Sequence, residues 1–347
     1  MESGIDSFLI WITELFPGGG FLSQLFNIRA LLALIMVGTI CGLMGSLVVG
    51  SRMAFFSDAL AHCAFAGVSL GFFLFEIIQG QLKINDSYFW GFVTPLMVIF
   101  GALVGLGIAQ VRHRTRLGSD TVIGVFFSGS LGLAAALSQL VQNRKVFNLE
   151  EFLFGDPLQV RSGEMIWLLG TLIVVCIFLY FCFNGLVLGS FNSSLAQSRN
   201  IKHLLLQHVF IIILAVSVNI TLRLVGVLLV NALLIVPAAT AMNWGGNLRQ
   251  MFWLTLIICL CTSIGGPILA WEMSARGMPL GISGSIVSLS VSFFIFSLFW
   301  LHKKSKSAEL SGTTVLLPFI DNQGKPMASF IQLIKAKLKN FTRKKSP

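Results

Sequence analysis

The sequence is poor in charged residues. Asp, Glu, Lys and Arg make up only 11% of its 347 residues, whereas 55% are hydrophobic and the mean hydropathy is +0.86. A water-soluble protein needs far more charge on its surface, so this composition excludes an ordinary soluble domain. We therefore expect lipid to be the solvent for most of the chain.

Motifs for nucleotide binding and catalysis are also missing. The sequence contains no GxxxxGK[ST] and no HExxH, and its one GxSxG match, Gly67 to Gly71, lies inside an apolar run. The strand-turn-helix elbow that exposes a nucleophilic serine cannot form in such a run. We predict that the chain is not an enzyme and that any energy source is another subunit or an ion gradient.

Paired cysteines are absent as well. The six cysteines lie singly inside apolar runs and form no CxxC pair, which argues against a disulfide framework or a zinc knuckle. We interpret them as small buried hydrophobic residues. They are Cys41, Cys63, Cys176, Cys182, Cys259 and Cys261.

Long apolar runs separated by short polar breaks dominate what is present. Crossing a hydrocarbon core takes about 20 apolar residues in a helix. Continuous runs such as Trp167 to Phe183 lack the alternation of barrel strands, and in lipid only a helix satisfies their backbone hydrogen bonds. The sequence predicts an all-α, polytopic transmembrane bundle of eight or nine helices. The candidate spans are 29–50, 53–78, 88–110, 121–141, 164–184, 206–222, 225–242, 251–272 and 281–301.

The positions of Lys and Arg predict the orientation of these spans. With the C-terminus in the cytoplasm, nine spans also place four loops there, namely 51–52, 111–120, 185–205 and 243–250. These loops hold seven Lys and Arg residues and the tail holds ten, out of 24 in the chain. This bias satisfies the positive-inside rule, so the net charge of +10 reflects topology and anionic lipid, and no nucleic-acid partner is expected.

The chain is predicted to have three parts. These are an N-terminal segment, 1–28, a transmembrane domain, 29–301, and a basic cytoplasmic tail, 302–347. The first 16 residues contain three acids and no Lys or Arg, so no cleaved signal peptide is predicted. In the tail, apolar residues recur at helical spacing from Phe330 to Phe341, which indicates either an amphipathic helix at the membrane surface or a disordered basic segment.

Asp58 is the carboxylate with more than one turn of apolar sequence on either side, and His62 follows it by four residues. On a helix these two side chains share one face. A charged group within a membrane is costly unless it faces a cavity, a partner or an ion. Carboxylate with imidazole suits divalent zinc, manganese or iron. The alternative interpretation is a structural Asp–His pair that braces two helices.

Other polar residues in or near the spans carry weaker signals. Asp120 begins a helix and is interpreted as a cap, with a gating role as the alternative. Asn231 and Pro237 lie in one span, where the proline frees a carbonyl and kinks the helix. Glu150, Glu151 and Asp156 belong to an external loop, which either receives a cation or a binding protein or is simply solvated.

Four sequence blocks, in this order and spacing, resemble the permeases of the zinc, manganese and iron ABC importers. The resemblance runs from about residue 29 to residue 300 and implies a fold like that of type II ABC importers in a bacterial inner membrane. The blocks are Phe56-Ser-Asp-Ala-Leu-Ala-His, Ser119-Asp-Thr-Val-Ile-Gly-Val-Phe-Phe-Ser, Leu153-Phe-Gly-Asp and Gly226 to Ala241.

The resemblance also implies partners and a cargo. The partners are a second permease copy or a paralogue, a dimer of cytoplasmic ATP-binding subunits, and an extracytoplasmic metal-binding protein. Asp58 and His62 match the acid and the histidine that line the ion route. The metal, zinc, manganese or iron, is then a transported substrate, and no covalently bound cofactor is expected.

The segment from Phe191 to Ile201, cytoplasmic by the charge count, resembles the helix that couples such permeases to their ATPase. Asn192 or Ser193 would cap this helix. The sequence departs from the family pattern with Asn192 where Asp is common and Asn200 where Gly is common. The candidate coupling residues are Asn192, Ser193, Ala196 and Asn200.

The leading hypothesis is a permease that moves a divalent metal inward by alternating access, driven by ATP hydrolysis in the partner. The alternative is a metal transporter or channel driven by an ion gradient, in which Asp58 titrates and no ATPase partner exists. The missing HExxH disfavours a membrane-embedded zinc protease.

Overall fold

The computed structural model describes residues 9–11, 13–14, 20–51, 53–82, 89–115, 117–140, 155–191, 203–245, 247–278 and 280–310. Nine long α-helices fill most of these ranges, and two short 3-10 helices, Phe21–Ser23 and Pro157–Gln159, accompany them. The α-helices are α1 (Leu25–Gly50), α2 (Phe56–Leu82), α3 (Phe89–Arg114), α4 (Ser119–Leu140), α5 (Ser162–Phe191), α6 (His203–Val225), α7 (Val227–Trp244), α8 (Leu248–Ala275) and α9 (Ile282–Leu310).

Each of the nine helices contains a segment long and apolar enough to cross a membrane. The ranges above contain no strand. The predicted all-α polytopic bundle is therefore confirmed, and the membrane-crossing helices within these ranges number nine, the larger of the two expected counts. The chain divides into two compact units, 1–295 and 296–347, and the candidate site lies in the first. The proposed roles of segments 1–28 and 302–347 stay predictions, and residues 311–347 lie outside the described ranges.

The break between α6 and α7 differs slightly from the sequence expectation. Arg223 does not separate the two helices but lies in the last turn of α6, and the break occurs at Gly226. Gly226 has φ +87°, a conformation that side chains with a Cβ rarely adopt. Gly155 packs on this break so closely that an added Cβ would overlap the backbone of Val225. Two glycines thus allow the chain to turn here.

Helix α1 packs tightly against α7 and α8 along three glycines, Gly38, Gly42 and Gly45, which we call the seam. A Cβ added at Gly45 would overlap the carbonyl oxygen of Leu234 in α7. A Cβ added at Gly42 would lie 3.1 Å from the Cα of Leu256 in α8. Without a driving force from water, helices in lipid associate through close van der Waals packing of this kind.

Helix α7 continues through Pro237, which has no N–H to donate to the carbonyl of Leu233 four residues earlier. The thiol of Cys259, from α8, donates to that carbonyl oxygen at 3.2 Å. All six cysteines are free thiols, and Cys41, Cys63 and Cys259 are buried as predicted. The prediction of burial is wrong for Cys176 and Cys261, which are exposed on the outer surface of the chain, and Cys182 is half-buried. Cys259 is more than a small hydrophobic residue, because it satisfies the carbonyl that the proline leaves open.

Helix α2, which carries Asp58 and His62, packs against α3 and α4. Gly67 brings α2 close to α3, since an added Cβ would lie 3.0 Å from the Cα of Met97. On the side of α4, the thiol of Cys63 is 2.9 Å from the hydroxyl of Ser130. The backbone beneath the candidate site is therefore held by neighbours on two sides.

Candidate functional site

Asp58 and His62 lie on an open stripe of α2. The residues that flank them, including Ser57, Ala59 and Cys63, are fully buried. In contrast, 46% of the Asp58 side chain and 27% of the His62 side chain are exposed. Because the two positions are four residues apart, the helix presents both side chains to the same space, as the spacing predicts. That space is the centre of the candidate site.

The distance between the two side chains leaves room for an ion. His62 Nε2 lies 4.0 Å from Asp58 Oδ1, which is too long for a hydrogen bond. Two ligand atoms at about 2.1 Å from a tetrahedral ion lie about 3.4 Å apart. A small rotation of either side chain would therefore bring both atoms to one divalent cation.

Asn231 of α7 is the third polar residue at this site. Its Nδ2 donates a hydrogen bond of 2.9 Å to Asp58 Oδ1, and this bond joins helices 173 residues apart in sequence. Asp58 and His62 lie on a single helix, so the bond between helices is made by Asp58 and Asn231. In the sequence, Asn231 is distinguished only as a polar residue in the same span as Pro237. The available signal was an amide in an otherwise apolar run.

Phe127 of α4 forms an apolar wall of the site. Its ring meets the imidazole of His62 edge to face, with ring centroids 4.5 Å apart and an interplanar angle of 74°. Such edge-to-face pairs stabilise one relative orientation of two rings. Phe127 thus restricts the imidazole of His62 while leaving its Nε2 atom directed towards Asp58.

The site is incomplete as a resident metal centre. Within the part of the chain that the structure describes, no three His, Cys, Asp or Glu residues cluster closely enough to hold a metal ion. Structural zinc sites use four protein ligands and catalytic ones three. The arrangement places a carboxylate, an imidazole and an amide close together, and each of these groups has an atom that can bind a cation.

The remaining predicted residues have separate positions. Asp120 lies in the first turn of α4, which fits the capping interpretation. Asp156 accepts hydrogen bonds from Leu158 N and from Gln159 Nε2, both at 3.1 Å, and so caps a 3-10 turn. The acidic residues 150 and 151 lie outside the described residues. So do the candidate coupling residues Asn192, Ser193, Ala196 and Asn200.

A second polar cluster lies apart from this site, where α3, α5 and α6 meet. Arg223 NH2 is 3.5 Å from Glu164 Oε1 at the start of α5. The same guanidinium donates to the hydroxyl of Thr94 in α3. The positive charge of Arg223 is paired with the negative charge of Glu164. We therefore interpret this cluster as a tie between three helices and not as an open binding site.

Comparison with known proteins gives consistent results. The family model described as "ABC 3 transport family" matches residues 23–301. The high-affinity zinc uptake system membrane protein ZnuB of Haemophilus influenzae is 30% identical over 78% of this chain and 95% of its own length. The manganese import system permease protein ScaB of Streptococcus parasanguinis is 29% identical over 80% and 92%. Among solved structures, PsaBC from Streptococcus pneumoniae in complex with Fab shares the fold, with a TM-score of 0.62 and 24% identity over 84% of this chain and 94% of that one.

Proposed function

The chain belongs to the ABC 3 transport family, and we propose that it is the membrane permease subunit of an ATP-driven importer of a divalent transition metal, zinc, manganese or iron. The observation that carries the choice of cargo is the Asp58 and His62 pair on the open stripe of α2. Carboxylate oxygen and imidazole nitrogen are ligands shared by these three metals. Relatives named for zinc and for manganese support the same class of substrate.

The proposed complex contains parts that this chain lacks. A dimer of ATP-binding subunits on the cytoplasmic face would supply the energy, because the sequence contains no phosphate-binding loop. An extracytoplasmic metal-binding protein would deliver the ion, and a second permease, identical or paralogous, would complete the path. The segment with Asn192, Ser193, Ala196 and Asn200 is our candidate for contact with the ATPase.

The protein spans the membrane many times, and we place its C-terminal tail in the cytoplasm of a bacterial cell. The distribution of Lys and Arg supports this orientation, because basic residues are enriched in cytoplasmic loops. Metal would then move from the outer face, past Asp58 and His62, to the inner face.

The ion step follows from the site's chemistry. An ionised Asp58 attracts the cation, and a neutral imidazole of His62 donates a nitrogen lone pair to it. One carboxylate and one imidazole hold a metal far more weakly than the three or four Cys, His, Asp or Glu ligands of a resident site. Weak coordination lets the ion leave when the permeases rock, which transport by alternating access requires.

The test is metal accumulation in cells that express the chain with its ATPase and binding protein. Asp58→Asn keeps an oxygen to accept the Asn231 hydrogen bond but removes the charge, and His62→Ala removes the nitrogen. We expect each variant to lower uptake of the cognate metal at least about tenfold while still assembling in the membrane. Glu272→Ala is the matched control, since Glu272 belongs to α8 and forms an exposed ion pair with Arg276.

Normal uptake in both site variants would overturn the proposed route. To separate the two energy sources, uptake is also measured in proteoliposomes with ATP and without an ion gradient. Transport that needs ATP supports the importer. Transport that persists without the ATPase and stops when a proton gradient is collapsed would favour the alternative, a transporter driven by an ion gradient.

A further inference from the structure

We propose that Asn231 is a further ligand residue of the ion site, whose amide donates an N–H to Asp58 in the absence of metal and turns its oxygen towards the ion when metal arrives. The proposal rests on the proposed function, because it assumes that Asp58 receives the ion. It adds a neutral oxygen from α7 to the carboxylate and the imidazole of α2.

The first observation is the orientation of the amide. A carboxylate is an acceptor only, so the amide must present Nδ2 to it, as the 2.9 Å bond between Asn231 and Asp58 shows. The other amide atom, Asn231 Oδ1, is buried and has no hydrogen-bond partner. A buried amide oxygen without a donor is penalised because it has lost its hydration, so this orientation is not otherwise favoured by its surroundings.

A cation at Asp58 reverses the preference. Once the carboxylate carries a divalent ion, an N–H directed at that ion is repelled, whereas an amide oxygen is attracted. The torsion that exchanges the two amide atoms of asparagine is broad and roughly two-fold, so the exchange needs no movement of the backbone. In either orientation one amide atom of Asn231 is buried without a partner. The group that faces the other amide atom, either the bare carboxylate of Asp58 or a cation bound to it, therefore decides which orientation is preferred.

The second observation is that the backbone beyond Asn231 is held firmly. Leu233 O receives the thiol of Cys259, and Leu234 O lies against Gly45 in the seam. The amide can therefore turn while its Cα stays in place. A ligand on a fixed backbone costs less to organise when the ion binds, which is what a transient site needs.

The chemistry of the added ligand predicts a preference among metals. Carbonyl oxygen suits Mn²⁺, whereas imidazole suits zinc. Removing the oxygen of Asn231 should therefore weaken the binding of Mn²⁺ at the site more than the binding of Zn²⁺. A residue that merely braced α2 against α7 would affect both metals equally.

The experiment compares two substitutions in the assembled transporter, reconstituted with its ATPase and binding protein. Asn231→Leu has neither a donor nor an oxygen. Asn231→Asp has oxygens but no N–H, and it places a second negative charge beside Asp58. The measured quantities are KM and Vmax for Mn²⁺ and for Zn²⁺, together with the amount of assembled complex in the membrane.

A ligand role predicts that Asn231→Leu raises KM at least about tenfold, more for Mn²⁺ than for Zn²⁺. It predicts that Asn231→Asp keeps KM within about threefold of the wild-type value or lowers it, because a carboxylate replaces the amide oxygen. A bracing role predicts the reverse for Asn231→Asp, which loses the N–H and gains repulsion. An Asn231→Asp variant as defective as Asn231→Leu, or more so, would overturn the proposal.

Asp58→Asn separates this proposal from the proposed function. If Asp58→Asn transports normally, the proposed ion route itself is wrong. If Asp58→Asn is defective and Asn231→Asp is also defective in KM, the route stands and only the role of Asn231 is wrong. Should Asn231→Leu fail to assemble, Asn231→Ala takes its place, and the comparison of Asn231→Asp with the wild type still decides the question.

Discussion

Two sets of glycines in this protein have opposite surroundings. In the seam, a methyl group added to Gly38 or Gly45 of α1 would overlap atoms of α8 or α7, and one added to Gly42 would be crowded against Leu256 of α8. In α4, Gly124, Gly129 and Gly132 are exposed, and a methyl group added to any of them would meet no heavy atom from another part of the described chain within 4 Å. We call these three the open face of α4.

The difference separates a part of the bundle that is packed within the chain from a part that is exposed. The seam holds the segment of α7 that follows Asn231, and so it positions one side of the candidate site. The open face belongs to the helix that contributes Phe127 to the other side. A site between a packed element and an open one can be held precisely on one side and, in the proposed importer, be covered on the other side by a second permease.

The largest effect is expected for Gly45→Ala. The added Cβ would overlap the carbonyl oxygen of Leu234, a backbone atom that cannot move away as a side chain tip can. Overpacking of this kind costs about 1–3 kcal/mol and occasionally more, and we expect the upper end of that range. The measurement is thermal unfolding of the detergent-purified chain, followed by tryptophan fluorescence.

The control for Gly45→Ala is the same substitution at Gly50, the last residue of α1, where no such atom lies within 4 Å. If Gly45→Ala unfolds at the same temperature as Gly50→Ala, the seam is looser than its geometry indicates. The contrast with the open face would then disappear.

A smaller effect is expected for Cys259→Ala, which removes the thiol that donates to Leu233 O. The carbonyl would be left in an apolar interior without a partner, at a cost of about 1–3 kcal/mol. Cys259→Ser keeps a donor and should be less destabilising than Cys259→Ala. Both are compared by the same thermal unfolding measurement.

The link between Cys259 and Pro237 can be tested by a double-mutant cycle. Pro237→Ala restores the N–H that bonds to Leu233 O within α7, which makes the thiol dispensable. Cys259→Ala should therefore cost less in the Pro237→Ala background than in the wild type. Equal costs in the two backgrounds would show that the thiol is not compensating for the proline.

The sequence predicted the fold well because the signal for a membrane helix is local. About 20 apolar residues in succession force a helix in lipid whatever the neighbours are, so all nine predicted spans correspond to helices α1 to α9. The position of the boundary between α6 and α7 was harder to predict from the sequence. Arg223 looked like a polar break, but its charge is neutralised by Glu164, which is distant in sequence.

The candidate site was predicted in part for the same reason. Asp58 and His62 share a helix, so their spacing alone places them on one face. Asn231 is 173 residues from Asp58, and no periodicity relates the two. The partner of a carboxylate on another helix depends on how the helices pack, and packing depends on glycines such as Gly45 whose neighbours the sequence does not indicate.

The smallest effect is expected for Gly129→Ala on the open face, and its small size is informative. Alanine is favoured over glycine in a helix by about 1 kcal/mol, and no neighbour opposes the methyl group, so the isolated chain should unfold at the same or a slightly higher temperature. A clear loss of stability would mean that this face is packed within the chain, which would remove the contrast with the seam. If the isolated chain is unaffected but the amount of assembled transporter falls together with metal uptake, the methyl group interferes with packing against another subunit. In that case the open face of α4, next to the wall that Phe127 forms beside His62, becomes the candidate contact surface for the proposed second permease.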